Sequence, residues 1–313
     1  MVRIKKILCP IDFSTFSRHA FDRALAIAKG HGASVTATHI VPTQASPMFP
    51  YVEPGGVEAF LLPEVDRQRL LSELKQFLAI DEPVGVSIDC EVLEAPSVYR
   101  EILVQADRMS ADLIVMGTHG RSGFQHLVLG SVTEKVLRTA RPPVLTVGAA
   151  ADVVPAGGTS FKRILCAIDF SECSIAGLLY AASLAEPAAA DLAVLYVVEW
   201  APLGYDPLAG PPIDLAGFRI EAESAGRESL HNVVADASPK ARNVEEIVSS
   251  GKPHREILRI AAERQCDLIV LGIHGRNPLD RMLFGSTAEP VVRRATCPVL
   301  TVRTEARAAS AAA

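Results

Sequence analysis

The sequence predicts an α/β protein of two tandem domains, each a five-stranded parallel sheet with helices on both faces. Three observations carry that expectation. Short β-branched apolar runs alternate with helical patterns, the signature of parallel α/β sheets. The alternation occurs twice: Ile7-Leu-Cys-Pro-Ile-Asp12-Phe-Ser14 returns as Ile164-Leu-Cys-Ala-Ile-Asp169-Phe-Ser171. Gly117-Thr-His-Gly120, nine residues and Gly130-Ser131 return as Gly272-Ile-His-Gly275, nine residues and Gly285-Ser286. The offset is 157 residues from Asp12 to Asp169 and 155 from Gly117 to Gly272, so the chain is a tandem duplication. Finally, 313 residues, 49% of them apolar, suffice for two ordinary cores.

In the first copy, Lys6–Ile11 reads as strand one. Ser14 to Lys29 has apolar residues at helical spacing (Phe16, Ala20, Ala24, Ile27) and Gly30-His-Gly32 stops it. Ser34–Val41 is strand two, and Glu64–Ile80 a helix with Leu70, Leu71, Leu74 and Phe77 on one face. Val86–Val92 is strand three, Ser97–Met109 a helix, Asp112–Met116 strand four, Ser131–Ala140 a helix and Val144–Val147 strand five. The second copy repeats this order from Arg163 to Val302. The expected domains are 1–147 and 162–302, with a Gly- and Ala-rich linker over 148–161 and a disordered tail over 303–313. Pro42–Pro63 and Pro202–Asp214 are rich in Pro and Gly; each follows strand two and reads as a surface loop or a lid.

Composition removes several function classes. Net charge is −5 and no stretch concentrates Lys and Arg, which argues against nucleic acid. The basic start meets Pro10 and Asp12 too soon for a signal core. No apolar run reaches the roughly 20 residues of a bilayer span. The expected location is the cytoplasm, with no membrane partner. The six cysteines include no Cys-x-x-Cys pair and read as small buried hydrophobes, and no metal-ligand cluster is visible.

The glycine motif carries the chemistry. Strand four runs into Gly117, so the motif opens at the carboxyl edge of the sheet. Gly117 and Gly120 allow positive φ and let the backbone approach a ligand without a Cβ in the way. Gly130-Ser131 begins a helix, whose N–H groups and dipole suit a phosphate. Asp12 ends strand one; if that strand neighbours strand four, the carboxylate enters the same crevice and faces sugar hydroxyls. Phosphates on the helix side and sugar on the acid side describe a mononucleotide. A ligand-free explanation competes, because Ser131-Val-Thr-Glu134 and Ser286-Thr-Ala-Glu289 both have the form of capping boxes. His119 and His274 touch a phosphate or shape the loop; Arg121 and Arg276 contact phosphate or are solvated. There is no Gly-Lys-Ser/Thr P-loop and no Gly-x-Gly-x-x-Gly after strand one.

These residues resemble the universal stress protein family, specifically its ATP-binding branch with two domains in one chain. The resemblance covers residues 3–147 and 162–302, and the family pattern Gly-x2-Gly-x9-Gly-Ser/Thr is matched in both copies. It implies strand order 3-2-1-4-5, with ATP between strands one and four. It implies that Asp12 and Asp169 hold the ribose and that the backbone of Val41 and Val198 lies near the adenine. The loops Gly117-Thr118-His119-Gly120-Arg121-Ser122-Gly123 and Gly272-Ile273-His274-Gly275-Arg276-Asn277 would wrap the phosphates. Gly130, Ser131, Val132, Gly285, Ser286 and Thr287 would close the cradle, with Mg²⁺ carried through the phosphates. The resemblance also implies an internal pseudo-dimer through strand five, with further homodimerisation open.

The copies differ. The second has Arg276-Asn-Pro278 where the first has Arg121-Ser-Gly123, and Pro290 enters the first turn of its phosphate helix. Two ATP sites, the first tighter, are therefore expected. The function implied is a nucleotide-linked stress-response regulator. Neither copy shows a carboxylate pair or a nucleophile with a base, so no catalytic residue is assigned. Slow ATP hydrolysis or autophosphorylation is compatible with this set. The alternatives are a weak ATPase, an adenylate-transferring enzyme, and a stress protein that works through its dimer surface without nucleotide.

Overall fold

The computed structural model describes residues 2–43, 64–79, 85–120, 129–148, 161–199, 215–237, 243–273 and 285–304. The chain divides into two compact units, one within 3–160 and one within 161–313 together with residues 1–2. The expected linker, save Gly148 and Phe161, lies outside the described residues, as does the tail beyond Thr304. So do both Pro- and Gly-rich loops except Pro42 and Thr43.

The first unit runs β1 (Lys6–Pro10), α1 (Thr15–His31), β2 (Ser34–Pro42), α2 (Glu64–Leu78), β3 (Ile88–Ala95), α3 (Val98–Arg108), β4 (Leu113–Gly117), α4 (Ser131–Thr139) and β5 (Val144–Val147). All pairs are parallel. β1 lies between β2, with Lys6 opposite Ser34, and β4, with Ile7 opposite Leu113. β3 flanks β2, and β5 flanks β4, giving the order 3-2-1-4-5. A strand covered on both faces must be apolar throughout, which is why Ile7, Leu8 and Cys9 are all buried. α1 turns Ala20, Phe21, Ala24, Ile27 and Ala28 to the sheet and stops at Gly32, whose φ of +63° suits glycine and whose N–H returns to the Ala28 carbonyl.

The second unit repeats the plan: β6 (Arg163–Ile168), α5 (Glu172–Ala185), β7 (Asp191–Val198), α6 (Leu215–Ala237), β8 (Asn243–Ser250), α7 (Pro253–Glu263), β9 (Leu268–Gly272), α8 (Ala288–Arg294) and β10 (Val299–Val302). Its strands lie in the order β8-β7-β6-β9-β10, the same arrangement. No described helix is long and apolar enough to cross a membrane.

The aspartate that opens strand four has a structural use in both units. Asp112 Oδ2 accepts the N–H groups of Lys5 and Lys6 at 2.8 and 3.0 Å. Asp267 accepts those of Lys162 and Arg163 at 2.8 and 3.0 Å. β3 runs to Ala95, beyond the Val92 expected from its apolar run, because Glu94 is neutralised rather than solvated. Its carboxylate, 6% exposed, meets the Arg67 guanidinium of α2 at 3.1 Å.

Candidate functional site

Connections leave β1 and β4 toward opposite edges of the sheet, so a crevice opens at their carboxyl ends. Asp12 stands there, two residues past β1. Its Oδ1 accepts the Ser14 N–H at 3.0 Å and the Ser14 hydroxyl at 2.5 Å. Ser14 Oγ in turn caps α1 by accepting the Ser17 N–H at 3.2 Å. The residue between them, Phe13, has φ of +63°, a left-handed conformation that a bulky side chain adopts only under constraint. Its ring meets the His39 ring edge-on at 4.6 Å between centroids. His39 Nδ1 lies 2.7 Å from the Ile11 carbonyl oxygen, which can only accept, so Nδ1 carries a proton.

The glycines act differently from expectation. Neither Gly117 nor Gly120 has positive φ. Each is small because another part of the chain occupies the space of a side chain. A Cβ on Gly117 would stand 2.8 Å from Phe16 Cβ and 3.0 Å from its carbonyl carbon; one on Gly120 would stand 2.7 Å from Asp12 Oδ2. Gly117 thus lets β4 end against α1, and Gly120 lets the loop close over the Asp12 carboxylate. The loop is pinned at its far end too. Gly130 N–H donates to the Thr118 carbonyl at 2.9 Å, Thr133 Oγ1 to the Gly117 carbonyl at 2.9 Å, and Thr118 N–H to the Val147 carbonyl at 3.0 Å. His119 Nδ1 is 2.9 Å from Thr118 Oγ1.

The expected capping boxes do not form. The N-cap of α4 is Gly130, with no side-chain bond, and Ser131 is already the first helical residue and exposed. Glu134 pairs with Arg138 at 2.5 Å instead. The capping-box explanation for Ser131 is therefore removed, while Glu134 has its own partner in Arg138, and the first-turn N–H groups of α4 point out of the helix without an intrahelical acceptor.

A cavity of about 510 Å³ joins these parts. Asp12, Gly117, His119 and Gly120 line it together with Gly130, Ser131, Val132 and Thr133 at the start of α4. Thr38, His39, Ile40, Val41 and Pro42 of β2, with Leu70, Val98, Ile102 and Met116, are in the same lining. Sequence reasoning missed His39, Leu70, Val98, Ile102 and Met116. The one available signal was that β2 and the start of α3 end at the same sheet edge, with Val98 and Ile102 one helical turn apart.

In the second unit, Asp169 Oδ1 accepts the Ser171 N–H at 3.1 Å and its hydroxyl at 2.5 Å, and Phe170 again has φ of +63°. Phe170 lies 4.5 Å from Tyr196, which replaces His39. A Cβ on Gly272 would stand 2.4 Å from the Ser174 amide nitrogen. The phosphate helix differs. α8 begins at Ala288, two positions later than the Ser131 start of α4 would place it, after an uncapped Thr287 in helical conformation. Pro290 gives the reason: it has no N–H for the carbonyl four residues back and its ring crowds that carbonyl. Gly285 takes φ of +83°. A cavity of about 420 Å³ includes Asp169, Tyr196, Val198, Glu199, Gly272, Thr287 and Ala288 in its lining, but not Ile273, Gly285 or Ser286. Ile273 is buried, its N–H donating to the Val302 carbonyl at 2.8 Å. Arg121, Ser122, Gly123, His274, Gly275, Arg276 and Asn277 lie outside the described residues.

Comparisons agree with this architecture. The universal stress protein family model matches residues 3–148 and 160–303. A universal stress protein of Mycolicibacterium smegmatis is 28% identical over 308 residues, covering 95% of this chain and 96% of that one. One of Methanocaldococcus jannaschii is 38% identical over 143 residues, 46% of this chain and 81% of its own length. The crystal structure of a universal stress protein from Archaeoglobus fulgidus matches with a TM-score of 0.62 at 23% identity, over 97% of this chain and 98% of that one. At that identity the likeness speaks for the fold. With its model matched twice, once over each half of the duplication, the chain belongs to the universal stress protein family.

Proposed function

We propose that the first crevice binds ATP and that the protein is a nucleotide-linked regulator of the stress response. The observation that carries this reading is that one cavity is lined by Asp12, by an uncapped helix start and by apolar residues of β2, α2 and α3. Asp12 Oδ1 is committed to Ser14, which fixes the carboxylate so that it can accept ribose hydroxyls. The apolar wall, with Val41 at its rim, suits a purine face. The N–H groups of Ser131, Val132 and Thr133, aided by the helix dipole, suit the phosphates.

Mg²⁺ fits only as a passenger of those phosphates. Among the described residues no three His, Cys, Asp or Glu side chains come together as ligands.

Titration calorimetry with Mg-ATP tests the reading. Asp12→Ala is expected to weaken binding at the first crevice at least about tenfold, the loss of charge-assisted hydrogen bonds to the ribose. Unchanged affinity in a folded Asp12→Ala chain would remove the ATP reading and leave the surface-acting alternative.

A further inference from the structure

Among the described residues the second crevice keeps the nucleoside half of the first and alters the helix start on the phosphate side. Kept are Asp169 with its Ser171 clamp, the left-handed Phe170 and the apolar wall that includes Val198 and Ile257. The wall has the phenol ring of Tyr196 in place of the His39 imidazole, held between Phe170 and α6, where a Cβ on Gly226 would stand 2.6 Å from Tyr196 Cε1. On the phosphate side α8 is a seven-residue helix that starts late, and its third residue, Pro290, has no N–H to offer. Neither Gly285 nor Ser286 reaches the cavity lining. Glu199 stands where the first copy has Pro42, so two acidic residues, Asp169 and Glu199, line this cavity where the first has Asp12 alone; in neither cavity is a Lys or Arg among the described lining residues. Lys252, Arg255 and Arg294 act on His254 nearby without lining the cavity.

We infer that the second crevice takes a purine nucleoside without a polyphosphate tail, so that the two copies hold ligands of different charge. Hydroxyls meet Asp169, the base lies against Tyr196 and the apolar wall, and a triphosphate is turned away by Glu199 and by the proline in the first turn of α8. This rests on the nucleotide reading of the first crevice.

Full-length protein is saturated with Mg-ATP and then titrated with adenosine. One equivalent of ATP and one further equivalent of adenosine are expected. Asp169→Asn, which keeps an oxygen acceptor for Ser171, should weaken adenosine binding at least about tenfold and leave ATP untouched. Asp12→Ala should do the reverse. Two equivalents of ATP, one of them lost in Asp169→Asn, would overturn the inference, and so would an ATP-saturated chain that takes up no adenosine. If neither variant alters ATP uptake, the reading of the first crevice fails on its own; adenosine uptake sensitive to Asp169→Asn then shows a nucleoside at the second crevice and overturns only the pairing of two differently charged ligands.

Discussion

The β4–α4 crevice and the β9–α8 crevice descend from one duplication and have diverged unevenly. Features that build the sheet edge are retained in both: an Asp clamped by Ser, a left-handed Phe, a glycine wedged against the first helix. Features at the start of the phosphate helix are retained in one. α4 starts at Ser131 behind an extended Gly130; α8 starts at Ala288 behind a left-handed Gly285. The difference separates two uses of glycine that look alike in sequence. Gly117 and Gly272 exist for the fold, and their loss would be felt whether or not a ligand binds.

That contrast can be broken most forcefully at Gly272. Its absent Cβ would fall 2.4–2.6 Å from three backbone atoms of Cys173 and Ser174, which cannot rotate away. Gly272→Ala should cost about 3 kcal/mol, and Gly117→Ala, whose nearest contacts are longer at 2.8 and 3.0 Å, about 1–2 kcal/mol. Urea unfolding followed unit by unit checks this; no loss at either position would dissolve the distinction.

Gly120 should behave in the opposite way, damaging the ligand site more than the fold. A methyl there displaces the Asp12 carboxylate, so Gly120→Ala should weaken ATP binding roughly tenfold, about 1.4 kcal/mol, with a smaller change in stability. A stability loss as large as that of Gly117→Ala would place Gly120 among the fold glycines.

The copies should agree in alkaline solution. Burial raises the thiols of Cys9 and Cys166 far above their ordinary 9.0. A group whose folded pKa is raised stabilises fully below its unfolded value and loses that contribution as pH rises beyond it. Each unit should therefore lose about 1.4 kcal/mol per pH unit above pH 9 from its own thiol. Cys9→Val should flatten the slope in the first unit alone.

The smallest expected effect lies at the second crevice. Partial burial, then the charges of Arg255, Arg294 and Lys252, lower the pKa of His254 below 6.5, while Glu199 opposes them. Proton NMR titration should find its midpoint below 6.5 and lower still in Glu199→Gln. An unmoved midpoint would argue against Glu199 as a charge felt at that edge.

The fold was legible because doubly covered parallel strands must be apolar along their whole length, and Ile7-Leu-Cys9 and Ile164-Leu-Cys166 say so without help from the rest of the chain. Tertiary pairing was not legible. β3 was ended early because the sequence does not reveal Arg67 waiting for Glu94. The aspartates were found from their duplicated place after strand one, but the left-handed Phe13 and Phe170 were not, since a bulky aromatic is the last residue local rules would assign there. The capping box was a one-residue error: a serine beside a glycine looks like a cap, and the glycine took the position. The cavity wall went unread because His39, Leu70, Val98 and Met116 come from four separate elements and share no motif.

The Asp112 clamp on β1 has a consequence for assembly in time. Its hydrogen bonds span 107 and 106 residues, and β1, the middle strand, meets its second neighbour only across that distance. β1 can pair early with β2, but its other edge stays bare until Leu113 to Gly117 have been synthesised. Such long closures slow folding, and an uncovered apolar strand edge invites intermolecular pairing. The Asp267 clamp, across 105 and 104 residues, repeats the interval in the second copy. A nascent chain therefore passes twice through an aggregation-prone window, and translation that pauses just before Asp112 or just before Asp267 holds it there.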